Sequence, residues 1–151
     1  MANVVEPTLT NSLVQSLREE HIVTIATTDH EKAVPNVSAI SWVYAMNETR
    51  IRFAVDQRSR IVENLRHHAT LVLTVMANES VFSISGEAKI VADRMEGIPL
   101  KLTLVEVSVQ EVRDVMFYGA KLTIEPKYEK TYDPRAAAKL DNQVLTAMKE
   151  W

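Results

Sequence analysis

The spacing of apolar residues changes several times along the chain, and each change marks a boundary. Between residues 9 and 20, Leu9, Leu13, Val14 and Leu17 fall on one helical face, and Arg18, Glu19 and Glu20 close the segment; a short amphipathic helix is predicted. From Ile22 to Thr28 the apolar positions become Ile22, Val23, Ile25 and Ala26. That spacing predicts a strand, ended by the polar run from Thr28 to Lys32. Residues 37 to 45 and 51 to 55 are rich in β-branched and aromatic types, which suit a pleated surface. Alternation in the first of these strands places Ile40, Trp42 and Tyr44 on one face. Met46 to Arg50 has the length and polarity of a hairpin loop, although it contains no glycine.

From Ser59 the period is helical again, with Ile61, Val62 and Leu65 forming one stripe over 58 to 67. The run Ala69 to Ala77 is dense enough in apolar residues to predict burial on both faces. Asn78-Glu79-Ser80 reads as a turn into a strand from Val81 to Val91, where Gly86 marks a bulge or a close backbone approach. Residues 93 to 101 form a loop or short helix, and Leu102 to Gln110 alternate as a further strand with a register change before Val112. Asp133 and Pro134 give the N-cap and first position of a last helix over 134 to 150, with Leu140, Val144, Met148 and Trp151 near one face. About six antiparallel strands so closely spaced predict a mainly β fold with flanking helices. The pattern does not choose between barrel and sandwich.

Composition narrows the function classes. A chain of 151 residues, 46% hydrophobic and 25% charged, suits one domain, 1 to 151. The net charge of -3 offers no basic excess for nucleic acid. Cysteine is absent, which excludes disulfides, thiolate metal sites and a cysteine nucleophile. With glycine only at Gly86, Gly97 and Gly119 there is no glycine-rich phosphate loop. No apolar run approaches the roughly 20 residues that cross a bilayer. A cytoplasmic protein with no nucleic-acid or membrane partner is expected. His67 and His68 are neighbours that point apart on a helix, and His21 and His30 lack ligand spacing, so no metal site is expected.

The candidate chemistry lies at Arg58-Ser59-Arg60. With Asp56 or Ser59 as N-cap, the free amides of the first helical turn and two guanidinium groups would converge on one point, suited to a phosphate. Solvated arginines at a helix start are the plainer reading, since the helix dipole slightly disfavours cations there. Ser38 and Ser41 differ in parity, so a regular strand would turn only one hydroxyl toward any single ligand, unless a bulge intervenes.

The order of these elements carries a resemblance. A strand ending in Ala26-Thr27-Thr28-Asp29, a proline before the strand Pro35-Asn36-Val37-Ser38, the strand Ile51 to Val55, then Arg58-Ser59-Arg60 followed by Asn64-Leu65, together resemble the pyridoxamine 5′-phosphate oxidase-like flavoproteins of the FMN-binding split-barrel fold. The resemblance covers most of residues 13 to 113. It implies a six-stranded antiparallel split barrel, a homodimer, and FMN held in a cleft between subunits. It further implies phosphate contacts from Arg58, Ser59 and Arg60, a flavin lying along Ser38, Ala39, Ile40 and Ser41, and Ala54 and Val55 lining the site. The implied activity is flavin-dependent redox chemistry on a small-molecule substrate.

Two departures qualify that implication. Where the family commonly has a lysine reaching the phosphate, spacing from Asn64-Leu65 puts Ile61. The portion from Glu125 to Trp151 lacks the arginine and histidine pattern associated with pyridoxamine 5′-phosphate, so oxidation of that substrate is not expected. A split barrel that has lost FMN and holds heme or a deazaflavin, or serves as a non-catalytic stress-associated dimer, stays open beside the flavin reading.

Overall fold

The computed structural model describes residues 5–151. Its elements are β1 (Val5–Glu6), α1 (Asn11–Ser16), β2 (Val23–Thr28), β3 (Pro35–Ile40), β4 (Val43–Ala45), β5 (Arg50–Asp56), α2 (Arg60–His67), β6 (Thr70–Ala77), β7 (Ser80–Ala92), β8 (Leu102–Asp114) and α3 (Pro134–Glu150). The sheet is antiparallel, in the order β3-β2-β6-β7-β8-β5-β4, with β1 added beside β8. The two edge strands, β3 and β4, are consecutive in the chain. Ile40 and Val43 are three peptide steps apart, at most about 11 Å of chain, so the sheet must curl until its edges nearly meet. The Ala54 amide donates to the Trp42 carbonyl at 3.0 Å and fastens this corner to β5. A split barrel results.

Eight strands replace the expected six, for two reasons. The single strand expected over 37 to 45 breaks at Ser41 and Trp42, and Val5–Glu6 forms a two-residue pair against Val112 and Arg113. The break also undoes the common face expected of Ile40, Trp42 and Tyr44. Ile40 packs against the barrel interior, while Trp42 and Tyr44 pack against a second apolar cluster outside it. The first helix is shorter than expected, with Thr10 as N-cap accepting from the Leu13 amide at 3.2 Å.

The interior gathers Val23, Ile25, Ile51, Phe53, Leu71, Leu73, Val75, Ile84, Val105 and Val107 with the apolar faces of α1 and α2. Along β6, Leu71, Leu73, Val75 and Ala77 are buried while the alternate positions are half-buried or exposed. The expected burial on both faces is therefore not met there, because among the described residues no helix covers the outer side. It is met instead at the start of β8, where Leu102, Thr103, Leu104 and Val105 are all buried. There α3 lays Val144 and Met148 over Ala54, Leu102 and Leu104, each large side chain so buried contributing about 1.5–3 kcal/mol. Arg52 fixes the end of α3, donating to the carbonyls of Met148 at 2.8 Å and Trp151 at 3.2 Å, where a cation complements the helix dipole.

Two turns explain themselves locally. The loop before β5 closes without glycine because the Asn47 side chain accepts from the Thr49 amide at 2.9 Å, an Asx turn. The expected register change falls at Gln110: Ser85 pairs with Glu111 and Gly86 with Val109, so Gln110 is the extra residue of a bulge. Among the described residues, no helix is long and apolar enough to cross a membrane.

Gly86 serves as bulge partner and close approach at once. A Cβ at Gly86 would lie 2.5 Å from the Ser108 carbonyl oxygen and 2.6 Å from a Val107 methyl. Gly86→Ala should lower stability by about 1–3 kcal/mol, seen as an earlier midpoint in urea unfolding; an unchanged midpoint would contradict the packing described.

Candidate functional site

The curled sheet leaves an opening of about 550 Å³ where its edges approach, lined by Ser38 to Trp42, Ala54 to Asp56, Ser59, Ile61, Ile22 and Tyr128. One of its walls is the free edge of β3. This strand pairs with β2 on one side and with nothing on the other among the described residues, so a row of N–H and C=O groups remains unused by the sheet. Seven of the nine residues singled out from the sequence, namely Ser38, Ala39, Ile40, Ser41, Ala54, Val55 and Ser59, meet in this cleft. Ser38 and Ser41 both reach it because the strand ends at Ile40, and the corner releases Ser41 from the alternation.

At the helix end of the cleft, Ser59 is the N-cap of α2, its Oγ accepting from the Val62 amide at 3.4 Å. Asp56 instead accepts from the Arg58 amide at 2.7 Å, shaping the turn into the helix. Arg58 and Arg60 are not among the lining residues, and their side chains do not converge. Arg58, 86% exposed, lies 3.6 Å from the Asp56 carboxylate, and Arg60, 66% exposed, lies 4.0 Å from Asp29. Each cation thus leans toward a neighbouring acid, as the helix dipole and solvent favour.

Asp29 is held charged. Its carboxylate accepts from the amides of Lys32 at 2.9 Å and Glu31 at 3.1 Å. These bonds hold its pKa below the usual carboxylate value, with His30 and Arg60 adding to the effect and burial opposing it. Beneath it, fully buried Asn64 ties the helix to the sheet. Its amide nitrogen donates to Thr27 Oγ1 at 2.9 Å and Asn36 Oδ1 at 2.8 Å, and its oxygen accepts from the His30 amide at 2.9 Å. The middle of α2 is thereby held against β2 and β3, on which one side of the cleft is built. His67 and His68 lie at the far end of α2, both exposed. Among the described residues no cluster of three metal-binding side chains occurs.

Of the remaining lining residues, Ile22, Trp42 and Tyr128 were not marked as cleft residues by sequence. Ile61 is buried and faces the cleft where the family resemblance expects a lysine. Trp42 stands at the corner, its indole N–H donating to Asp141 of α3 at 2.8 Å. Tyr128 comes from residues 115–133, an irregular strap between β8 and α3 that carries no periodicity to announce it. Its hydroxyl donates to Glu20 at 2.7 Å. Burial, and then the bond to Glu20 and that group's charge, push the phenol up to about 12, against the smaller influence of Lys130 and Ser41. The phenol therefore stays neutral in any ordinary buffer.

A second hollow, of about 540 Å³, lies away from the barrel opening and is lined by residues 78 to 80, Asp114 and residues 116 to 121. It has no free strand edge and no helix start.

Comparison with known proteins follows the fold. No curated protein matches the chain. Among solved structures it is similar to a protein provisionally designated a pyridoxamine 5′-phosphate oxidase from Lactobacillus delbrueckii, at 16% identity and a TM-score of 0.62, over 74% of this chain and 98% of that one. HupZ of Group A Streptococcus is similar at 12% identity and a TM-score of 0.60, over 76% and 99%. General Stress Protein 26 from Bacillus anthracis follows at 8% and 0.52, over 68% and 95%. At such identities these likenesses speak for the fold. The family profile described as pyridoxamine 5′-phosphate oxidase matches residues 9–116, most of the chain and all of the barrel from α1 to β8, so the chain belongs to the pyridoxamine 5′-phosphate oxidase family.

Proposed function

We propose that the protein is an FMN-binding flavoprotein that carries out redox chemistry on a small molecule, acting as a cytoplasmic homodimer. The observation that supports this most is the cleft itself, which runs from the start of α2 along the unpaired edge of β3. A flavin needs hydrogen-bonding partners for its ring edge, apolar groups for its ring face and a cationic or amide-rich place for its phosphate. The β3 edge at Ser38 to Ser41 supplies the first. Ala39, Ile40, Ala54, Val55 and Ile61 supply the second. The third is the start of α2, with the Ser59 cap and its free amides, and with Arg58 and Arg60 beside it in sequence.

Bound there, FMN would supply the hydride or electron transfer, and the protein's part is to bind, orient and shield it. Two features temper the phosphate grip. Arg58 and Arg60 each have an acidic neighbour, and Ile61 offers no charge. The affinity for FMN therefore rests more on the ring than on the phosphate.

Titration of FMN, followed by flavin absorbance and protein fluorescence, should show saturable binding to the wild type. Removing both guanidinium groups with Arg58→Ala and Arg60→Ala should weaken FMN by about tenfold, the worth of one or two exposed charge-assisted bonds, and leave folding intact. Ile61→Lys should tighten it. Absence of binding by the wild type would overturn the flavin reading, whether or not Ile61→Lys binds.

The homodimer has its own support. Val37 is 68% exposed, Phe117 71%, Tyr118 97% and Ile124 78%, large apolar side chains of the kind that a subunit interface would cover. Light scattering at micromolar concentration should give twice the chain mass of 17.0 kDa; a monomer mass would contradict the dimer and the between-subunit cleft together.

A further inference from the structure

Two histidines from separate parts of the chain meet beside the Asn64 junction. His30 stands in the turn after β2 and His67 in the last turn of α2, with ring centres 5.5 Å apart and planes 37° from parallel. Neither lines the cleft. What distinguishes the pair is the way each ring is held.

A partner that can only accept a hydrogen bond fixes the tautomer of the imidazole it meets. The Asn64 side-chain atom facing His30 accepts from the His30 amide at 2.9 Å, so it is the oxygen, because a backbone N–H can only donate. His30 Nδ1 lies 3.1 Å from the same oxygen and must therefore carry a proton. His67 Nδ1 lies 3.0 Å from the Glu63 carbonyl, and the same rule puts a proton there too. Both neutral rings then keep their lone pair on Nε2. At His30 that lone pair is set 3.4 Å from the Glu31 carboxylate, a contact that only a cation or a proton between the two makes favourable. Glu63 adds a carboxylate oxygen 3.8 Å from His67.

Metal-binding histidines are oriented in this way, with one ring N–H tied to an oxygen and the other nitrogen left as the ligand. The ring separation agrees with it. With zinc–nitrogen bonds of about 2.0–2.1 Å, two imidazoles on one tetrahedral ion have ring centres about 5.2 Å apart. Ring packing alone allows the same distance. The two tied Nδ1 groups and the carboxylate beside Nε2 are what packing does not require.

We propose that His30 and His67 bind one divalent transition-metal ion of the kind that prefers imidazole, such as zinc, through their Nε2 atoms, with water completing its shell. Two side chains make an open, exchangeable site, weaker than a closed structural one, and the half-exposed His67 ring leaves it within reach of solvent. The ion joins the turn after β2 to the end of α2, across the Asn64 junction that already ties helix to sheet. It acts on the stability of that junction, and the proposal is independent of the flavin reading. Sequence spacing gave no sign of it, because the two rings are brought together only by the packing of α2 on β2.

The test uses the full chain, freed of metal by a chelator that is then removed. Calorimetric titration with zinc chloride should show one saturable equivalent, and magnesium chloride, whose ion prefers oxygen ligands, should show none. His67→Ala, at an exposed position, should weaken zinc by about tenfold or more, the scale on which even an outer partner of a metal site counts. His30→Gln should do the same, and His68→Ala, next in the chain and outside the pair, should change nothing. Zinc should also raise the urea midpoint of the wild type and leave that of His67→Ala in place. Nitrogen NMR of the metal-free protein at about pH 8, where free imidazole is neutral, should show the proton on Nδ1 of both rings. No saturable zinc binding by the wild type, or equal binding by His67→Ala, would overturn the proposal, as would protons found on Nε2 instead.

Discussion

An open strand edge has to be satisfied by something, and in this protein most of what surrounds the site follows from that need. The barrel curls until β3 and β4 are joined by the two-residue corner Ser41-Trp42, but it does not zip the edge of β3 to a neighbour. Closing that seam with hydrogen bonds would have removed the cleft. Leaving it open costs unpaired N–H and C=O groups that water, a partner chain or a ligand must meet. The corner bond from Ala54 to Trp42 ties the two sides at the corner, and the Asn64 junction under α2 steadies the β3 side. The opening is therefore a persistent feature of the fold.

The two ends of the cleft differ in how charge is handled. At the helix end, both arginines are exposed and each rests near an acid, an arrangement worth little in water and easily redirected by a doubly charged ligand. Behind the corner end, Lys130 bridges Glu20 and Asp141, and these acids accept from the Tyr128 hydroxyl and the Trp42 indole. Rearranging them would leave a partly buried ammonium or carboxylate without its partner, which is far more costly. One end can adapt to a phosphate; the other is built to stay as it is.

Much of this was legible in the residues. The periods of Ile22 to Thr28 and Ile61 to Leu65, the Asp133-Pro134 start of α3 and the role of Gly86 all follow from local chemistry, and the structure repeats them. Seven proposed site residues converge because they lie on consecutive elements whose order the sequence already displayed. What local pattern missed has long-range causes. The break at Ser41-Trp42 exists because the barrel must turn a corner, and nothing in the alternation of Val37 to Ala45 records it. The full burial at Leu102 to Val105 depends on α3, which arrives some thirty residues later. Tyr128 sits in a stretch with no period at all, and only its bond to Glu20 and its place in the cleft wall mark it.

The central claim is that the free edge of β3 and the start of α2 together hold a flavin. Backbone amide shifts in NMR spectra, recorded as FMN is added, test it residue by residue. The account predicts the largest changes at Ser38 to Trp42 and Ala54 to Arg60, with the rest of the barrel little moved. Changes confined to the second hollow, around Asn78 to Ser80 and Met116 to Lys121, or no changes along β3 at saturating FMN, would contradict it.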